Sequence, residues 1–161
     1  MELKLPISVV SKVDVAKLMR EIIALNDFLV GASNRTPGQP VQLPKLSRIL
    51  EQTAADNKLN MIDENQRKEL YAKLGNVLNK SPQIHMSFAS EPSAKATARI
   101  LEWFRNNIHT HTLLQIGLQP NIAAGAVVRT PNLFFDLSLR HYLKQQEPYL
   151  AQLLRGDNPS E

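Results

Sequence analysis

The chain changes its hydrophobic rhythm once, near Pro82. Before it, apolar residues recur at three- and four-residue steps; after it, short stretches alternate residue by residue. Val15, Leu18, Ile22, Leu25 and Leu29 form the first stripe, with Met19, Ile23 and Val30 beside it. Ser11-Lys-Val-Asp14 has the capping-box spacing, in which a serine and an acid three residues on satisfy free amides at a helix start. The pattern predicts a helix from there to Gly31, a residue type suited to a helix end. From 31 to 43 the composition turns to Ser, Asn, Thr, Gly and Gln with Pro37 and Pro40, which predicts a loop. Pro44 suits a first helical position, with Leu46, Ile49, Leu50 and Thr53 on one face of a shorter helix. Asp63-Glu-Asn-Gln66 offers another capping box and opens a third helix, with Leu70, Leu74, Val77 and Leu78 on its apolar stripe and Lys80-Ser81-Pro82 at its end.

Past Pro82, Ile84, Met86 and Phe88 alternate with Gln83, His85 and Ser87, as in a strand with one buried face. Ser90-Glu-Pro-Ser93 signals a helix start, and Ala96, Ile100, Phe104 and Trp103 are expected on that helix's inner side. Thr112–Leu118 and Gly125–Thr130 read as strands, with Leu133–Phe135 a short fourth. A last helix starts near Ser138. Proline removes an amide donor and clashes with the preceding turn, so Pro148 should interrupt it and leave Tyr149–Leu154 separate. The fold class expected is α+β: an N-terminal module of about three helices over 1–80, then an α+β domain over 83–155 with a small mixed sheet ordered β-α-β-β-(β)-α, and a tail over 156–161.

The wide apolar arc of the first helix requires neighbours on more than one side. Two readings are open: a core helix of a bundle, or a groove for a partner helix formed by Val15, Leu18, Met19, Ile22, Leu25 and Leu29. Of nine aromatic residues seven follow Pro82, which places the better core in the second half and suggests that this half folds alone.

Cysteine is absent, which excludes disulfides, thiolate nucleophiles and cysteine-based metal sites. No stretch approaches the roughly 18 to 20 apolar residues of a spanning helix. The opening Met1-Glu-Leu-Lys-Leu-Pro6 does not resemble a signal peptide, so a cytoplasmic location is expected. The net charge of +4 permits an acidic partner, but basic residues are spread over both halves rather than concentrated as nucleic-acid binding would favour.

Candidate chemistry is sparse. His109 and His111 flank Thr110, but no Cys, Asp or Glu lies close by to complete a zinc site, so no metal is expected. His85 reads as a surface residue. Asp136, Ser138 and His141 have the residue types of a hydrolase triad, yet at a helix start their economical use is capping. No phosphate-cradling glycine loop occurs, and no cofactor is expected. Phe134-Phe135 offers at most one ring for stacking on a base, the only support besides basicity for an RNA- or ribosome-associated protein.

The run Gln119-Pro-Asn-Ile-Ala-Ala-Gly-Ala-Val-Val-Arg129, continued by Thr-Pro-Asn-Leu-Phe-Phe-Asp-Leu-Ser-Leu-Arg-His-Tyr-Leu143, resembles the signature of the delta subunit of rotary ATP synthases and its mitochondrial relative, the oligomycin-sensitivity-conferring protein. That family's pattern runs Asp-Pro-Ser-Leu-Ile-Gly-Gly, a strand ending in Arg, a turn, a second strand, then Asp-Gly-Ser before a helix with a basic start. Pro120, Gly125, Arg129, Asp136, Ser138, Arg140 and Leu143 match it, and Met86-Ser-Phe-Ala89 with Pro92 and Ser93 is similar to the strand and helix entry upstream. Gln119, Ala124, Pro131 and Leu137 depart from it, and the helical half is shorter than the family's six-helix bundle. The matched positions suggest structural duties: a bend or positive φ at Gly125, helix capping by Asp136 and Ser138, and an Arg129–Asp136 pair. The resemblance implies a non-catalytic stator adaptor of the peripheral stalk. Such a subunit binds the alpha subunits of the catalytic head through its helices and the b subunit through its sheet domain. It is peripheral to the membrane through the complex, with no insertion of its own.

Overall fold

The structure, a computed structural model, describes residues 3–35 and 44–155. The expected loop over 36–43 and the tail over 156–161 lie outside the described residues. Contacts group the chain into two compact units, Met1–Pro82 with Ala98–Leu113, and Gln83–Thr97 with Leu114–Glu161.

The first unit contains α1 (Lys12–Arg35), α2 (Arg48–Asp56) and α3 (Glu64–Lys80). At the start of α1 the Ser11 Oγ accepts from the Asp14 amide, and Asp14 Oδ2 accepts from the Ser11 amide and hydroxyl, so the capping box is complete. Contrary to expectation, α1 passes through Gly31 and ends at Arg35. A mid-helix glycine costs about 1 kcal/mol, which the continuing backbone bonds offset. The second helix starts at Arg48 rather than Pro44. Ser47 is the cap: its hydroxyl accepts from the Leu50 amide and donates to Glu21 on α1. Asp63 caps α3 as expected, accepting from the Asn65 and Gln66 amides, but the box is not closed, because the Gln66 Oε1 accepts from the Asn60 amide instead of the Asp63 amide.

Val15, Leu18, Ile22 and Leu25 of α1, Leu50 of α2, Leu70, Leu74 and Val77 of α3, and Leu113 make the continuous buried core of this unit. Leaving a leucine-sized cavity there would cost roughly 2–5 kcal/mol. The segment Leu3–Val9 lies along it, held by its own carbonyls. His111 Nε2 meets the Leu3 carbonyl at 2.7 Å, and the Asn57 amide group exchanges two 2.8 Å bonds with the Lys4 backbone. The Arg105 guanidinium donates to the carbonyls of Leu5, Pro6, Val9 and Thr112. A second cation, Arg67, is buried without a carboxylate partner among the described residues and donates to the Met61 and Ile62 carbonyls and to Asn26 Oδ1.

Four strands, β1 (Gln83–Phe88), β2 (Leu113–Leu118), β3 (Gly125–Arg129) and β4 (Phe134–Ser138), form one sheet in the order β2-β1-β3-β4. Helix α4 (Ala94–Asn107) joins β1 to β2. The Leu113 amide bonds to the Pro82 carbonyl and the Gln119 amide to the Phe88 carbonyl, a constant offset that parallel strands give. Strand β3 is antiparallel to both β1 and β4, so the sheet is mixed as expected. Ser93 Oγ accepts from the Ala96 amide at the start of α4. The buried residues of α4 are Thr97, Leu101 and Phe104; Trp103, expected inward, is 57% exposed and meets Phe104 edge-on. Thr97, Leu101 and Phe104 are themselves spaced by four and three, a stripe one step round the helix from the expected one.

Helix α5 (Leu139–Arg155) runs unbroken through Pro148. Its surroundings explain this: residues 139–150 are all exposed, so water can take the place of the N–H that Pro148 cannot offer to the Lys144 carbonyl. The aromatic residues did not locate the better core. Phe134, Phe135, Tyr142 and Tyr149 are exposed on an edge strand and on α5, whereas the larger continuous core is the aliphatic one of the first unit.

Candidate functional site

The register of β1, β3 and β4 sorts the sheet into two faces. Pairs Met86↔Val128↔Phe135 and Phe88↔Ala126↔Leu137 put apolar side chains on one side. Pairs His85↔Arg129↔Phe134 and Ser87↔Val127↔Asp136 put His85, Arg129, Ser87 and Asp136 on the other, with Val127 and Phe134 among them. Gln83 and Gln115 join across this second face at 2.8 Å.

At the β4 end the polar face becomes a hollow of about 490 Å³. Its floor is the sheet: His85, Ser87, Val127, Arg129, Phe134 and Asp136. Gln119, Asn121 and Ile122 of the loop before β3 form one wall, and Ser138, Arg140, His141 and Lys144 at the start of α5 form another. Three permanent cations and two imidazoles thus surround a single carboxylate. The ion pairs found among the described residues, Lys17–Asp14, Lys68–Glu64 and Lys73–Glu69, are all elsewhere.

The loop before β3 explains how this wall is held. Pro120–Ile122 forms one 3-10 turn and buries Ile122. Ala123 then takes φ 65° and ψ −57°, with the Ala124 amide bonded to the Ile122 carbonyl, a γ-turn of the strained positive-φ kind. Gly125 follows at φ 90°, and a Cβ there would collide with the Leu137 carbonyl on β4. Glycine is therefore required at this matched position, both for φ and for space.

Asp136 and Ser138 set the start of α5. Ser138 Oγ accepts from the His141 amide, the N-cap bond, and Asp136 Oδ1 accepts from the Ser138 amide at 2.9 Å. The Ser138 hydroxyl and amide hold the Asp136 carboxyl below its ordinary range, with smaller help from His141 and Arg140. The three residues of the hydrolase-triad pattern are thus neighbours through backbone amides. The expected Arg129–Asp136 pair does not form: the two are diagonal across β3 and β4, and the Arg129 guanidinium instead covers the Phe134 ring at 5.4 Å.

A second depression of about 310 Å³ adjoins the basic hollow and shares Arg140 and Lys144 with it. Its other lining residues are Ala123, Leu143, Glu147 and Leu150, so it follows the apolar stripe of α5. Of the motif residues, Arg129, Asp136, Ser138 and Arg140 line the hollow, and Leu143 lines the adjoining groove. Pro120 and Gly125 shape the backbone beside them. His85, Gln119, Asn121 and Lys144 join this set; only the cluster of cations in the first two turns of α5 could have signalled it from sequence.

Elsewhere, Val15, Leu18, Ile22 and Leu25 are buried in the first unit's core, with Met19 and Leu29 partly buried against it. The large apolar residues that α1 exposes are Val13, Ile23, Phe28 and Val30. Ile23 lines a hollow of about 210 Å³ with Ile22, Asn26, Arg67, Lys68 and Tyr71. His109 and His111 stand 5.6 Å apart, with the His111 amide bonded to His109 Nδ1 and the His111 ring on Leu3. No helix among the described residues is long and apolar enough to cross a membrane. Comparison of the sequence with models of known protein families and with curated proteins finds no match.

Proposed function

We propose that this chain is a non-catalytic adaptor of the delta-subunit type, linking the catalytic head of a rotary ATP synthase to its peripheral stalk. The observation that carries the reading is that each of its two compact units exposes an apolar helix surface of its own. In the first unit it is the Ile23 and Val30 side of α1, where Ile23 lines a hollow with Tyr71; in the second it is Leu139, Leu143 and Leu150 on α5. Two separate surfaces suited to helices are what a linker between two partners requires. The alpha subunits would occupy the first and the b subunit the second.

The motif residues support the family attribution through their geometry. Gly125 has a conformation and a close approach that only glycine satisfies, and Ser138 caps the helix that follows. A small basic RNA-associated protein is the second reading, favoured by the basic hollow. Against it, Arg129 already covers one face of the Phe134 ring on which a base would stack.

Affinity purification of the tagged full chain from its native cell, with identification of co-purifying chains, tests the assignment. Recovery of alpha and b subunits is expected. Their absence, or salt-sensitive retention of an RNA pool in their place, would remove the stator reading.

A further inference from the structure

The basic hollow and the apolar groove along α5 are contiguous, since Arg140 and Lys144 line both. We propose that together they form one docking surface for an acidic-tipped apolar helix of a partner protein, its carboxylates entering the hollow and its aliphatic side chains lying on Leu143 and Leu150. The proposal rests on reading the second unit as the stalk-binding half, and it specifies the chemistry of the segment bound there.

Charge complementarity selects the occupant. Arg129, Arg140 and Lys144 are cations without an ion-pair partner among the described residues, and Asp136, the one acid in the hollow, is already engaged by Ser138. Guanidinium groups offer paired N–H donors that match a carboxylate. A free phosphate or nucleotide would satisfy the hollow but leave the groove uncovered. An anionic bilayer would cover the stripe of α5, but a flat surface cannot enter a 490 Å³ recess. A helix carrying acids at one end and leucine-like residues at three- and four-residue steps fills both.

The test is selection of a displayed library of helical peptides, each about 20 residues long and so about 30 Å in extent, against the full chain. Enriched peptides should carry an apolar stripe with Asp or Glu grouped at one end. Their affinity should fall about tenfold or more for the double variant Arg140→Glu/Lys144→Glu and for Leu143→Glu, all at exposed positions. The double variant, with a far-UV spectrum matching the parent, should itself select peptides with Lys or Arg at that end. Should a variant misfold, the parent alone decides through salt: raising it from about 50 to about 500 mM should weaken binding by a similar factor. No enrichment, enrichment of uncharged peptides, indifference to these substitutions, or charge-dependent binding only to RNA or to anionic vesicles would each overturn the proposal. Co-purification without synthase subunits would remove the stator reading yet leave a positive selection standing, so the two failures are distinguishable.

Discussion

The Leu137 carbonyl on β4 occupies the space that a Cβ on Gly125 of β3 would need. Both groups are backbone, and strand pairing fixes them relative to one another. Gly125→Ala therefore combines a disfavoured positive φ with a steric collision, and should destabilise the sheet unit by about 3 kcal/mol. Urea unfolding followed by far-UV circular dichroism measures it; a loss below about 1 kcal/mol would show that the hairpin can shift to accommodate a methyl group.

Ala123, two residues earlier, should respond in the opposite sense. Its γ-turn conformation is costly for any residue with a side chain, and glycine adopts it more readily. Ala123→Gly is expected to leave stability unchanged or raise it by about 1 kcal/mol, even though glycine increases the freedom of the unfolded chain. A clear fall in the same unfolding assay would mean that the methyl group contributes packing that outweighs the strain.

Arg105 is the fastening of the Leu3–Val9 segment. Burial lowers its guanidinium to about 10, so it remains charged at neutral pH and keeps its donors. Arg105→Ala leaves four carbonyls without this donor and should cost about 2–4 kcal/mol. Lysine cannot span the same fork and should recover less than half of it. Hydrogen exchange should quicken first at the Val9 amide, which bonds to the Pro6 carbonyl; unchanged protection there would mean that Asn57 and His111 suffice to hold the segment.

The Asp136 carboxyl titrates below its ordinary value, so the folded chain favours its ionised form. By linkage its contribution is present above the ordinary carboxylate range and is lost as pH falls through the lowered folded value. NMR titration of the Asp136 side chain should place its midpoint below that of an ordinary aspartate, and Ser138→Ala should move it upward by removing the hydroxyl donor. An unmoved midpoint would assign the shift to the backbone amide alone. The same substitution removes the N-cap of α5, worth about 1 kcal/mol.

What could be read from the sequence was mostly local. The caps at Ser11 and Asp63 and the strand alternation at Ile84 and Met86 involve residues within a few positions of each other and appear as expected, whereas Phe88 is only half-buried, like Ser87 before it. Gly31 and Pro148 do not end their helices because a residue's helix-breaking tendency is a preference, overruled by a continuing hydrogen-bond ladder at one and by solvent around the other. Trp103 turns outward, against expectation, because hydrophobicity does not decide which of two adjacent stripes turns inward. The fastening by Arg105 joins residues almost a hundred positions apart, and the basic hollow draws on three strands, a loop and a helix, so neither leaves a periodic trace.

The end of the sheet has a consequence for solubility. Thr130 and Leu139 donate to the Leu133 and Ala124 carbonyls, which sets the phase of the β3–β4 ladder and turns the backbone groups of Phe134, Asp136 and Ser138 outward from the open edge. Such an edge, flanked by Phe135 and Leu137, is a template on which another chain's strand can grow. Asp136 closes part of it: its carboxylate occupies the Ser138 amide and sets a negative charge beside the remaining free groups. The acid that begins the final helix is thereby also a gatekeeper against fibre-like stacking of one copy on the next.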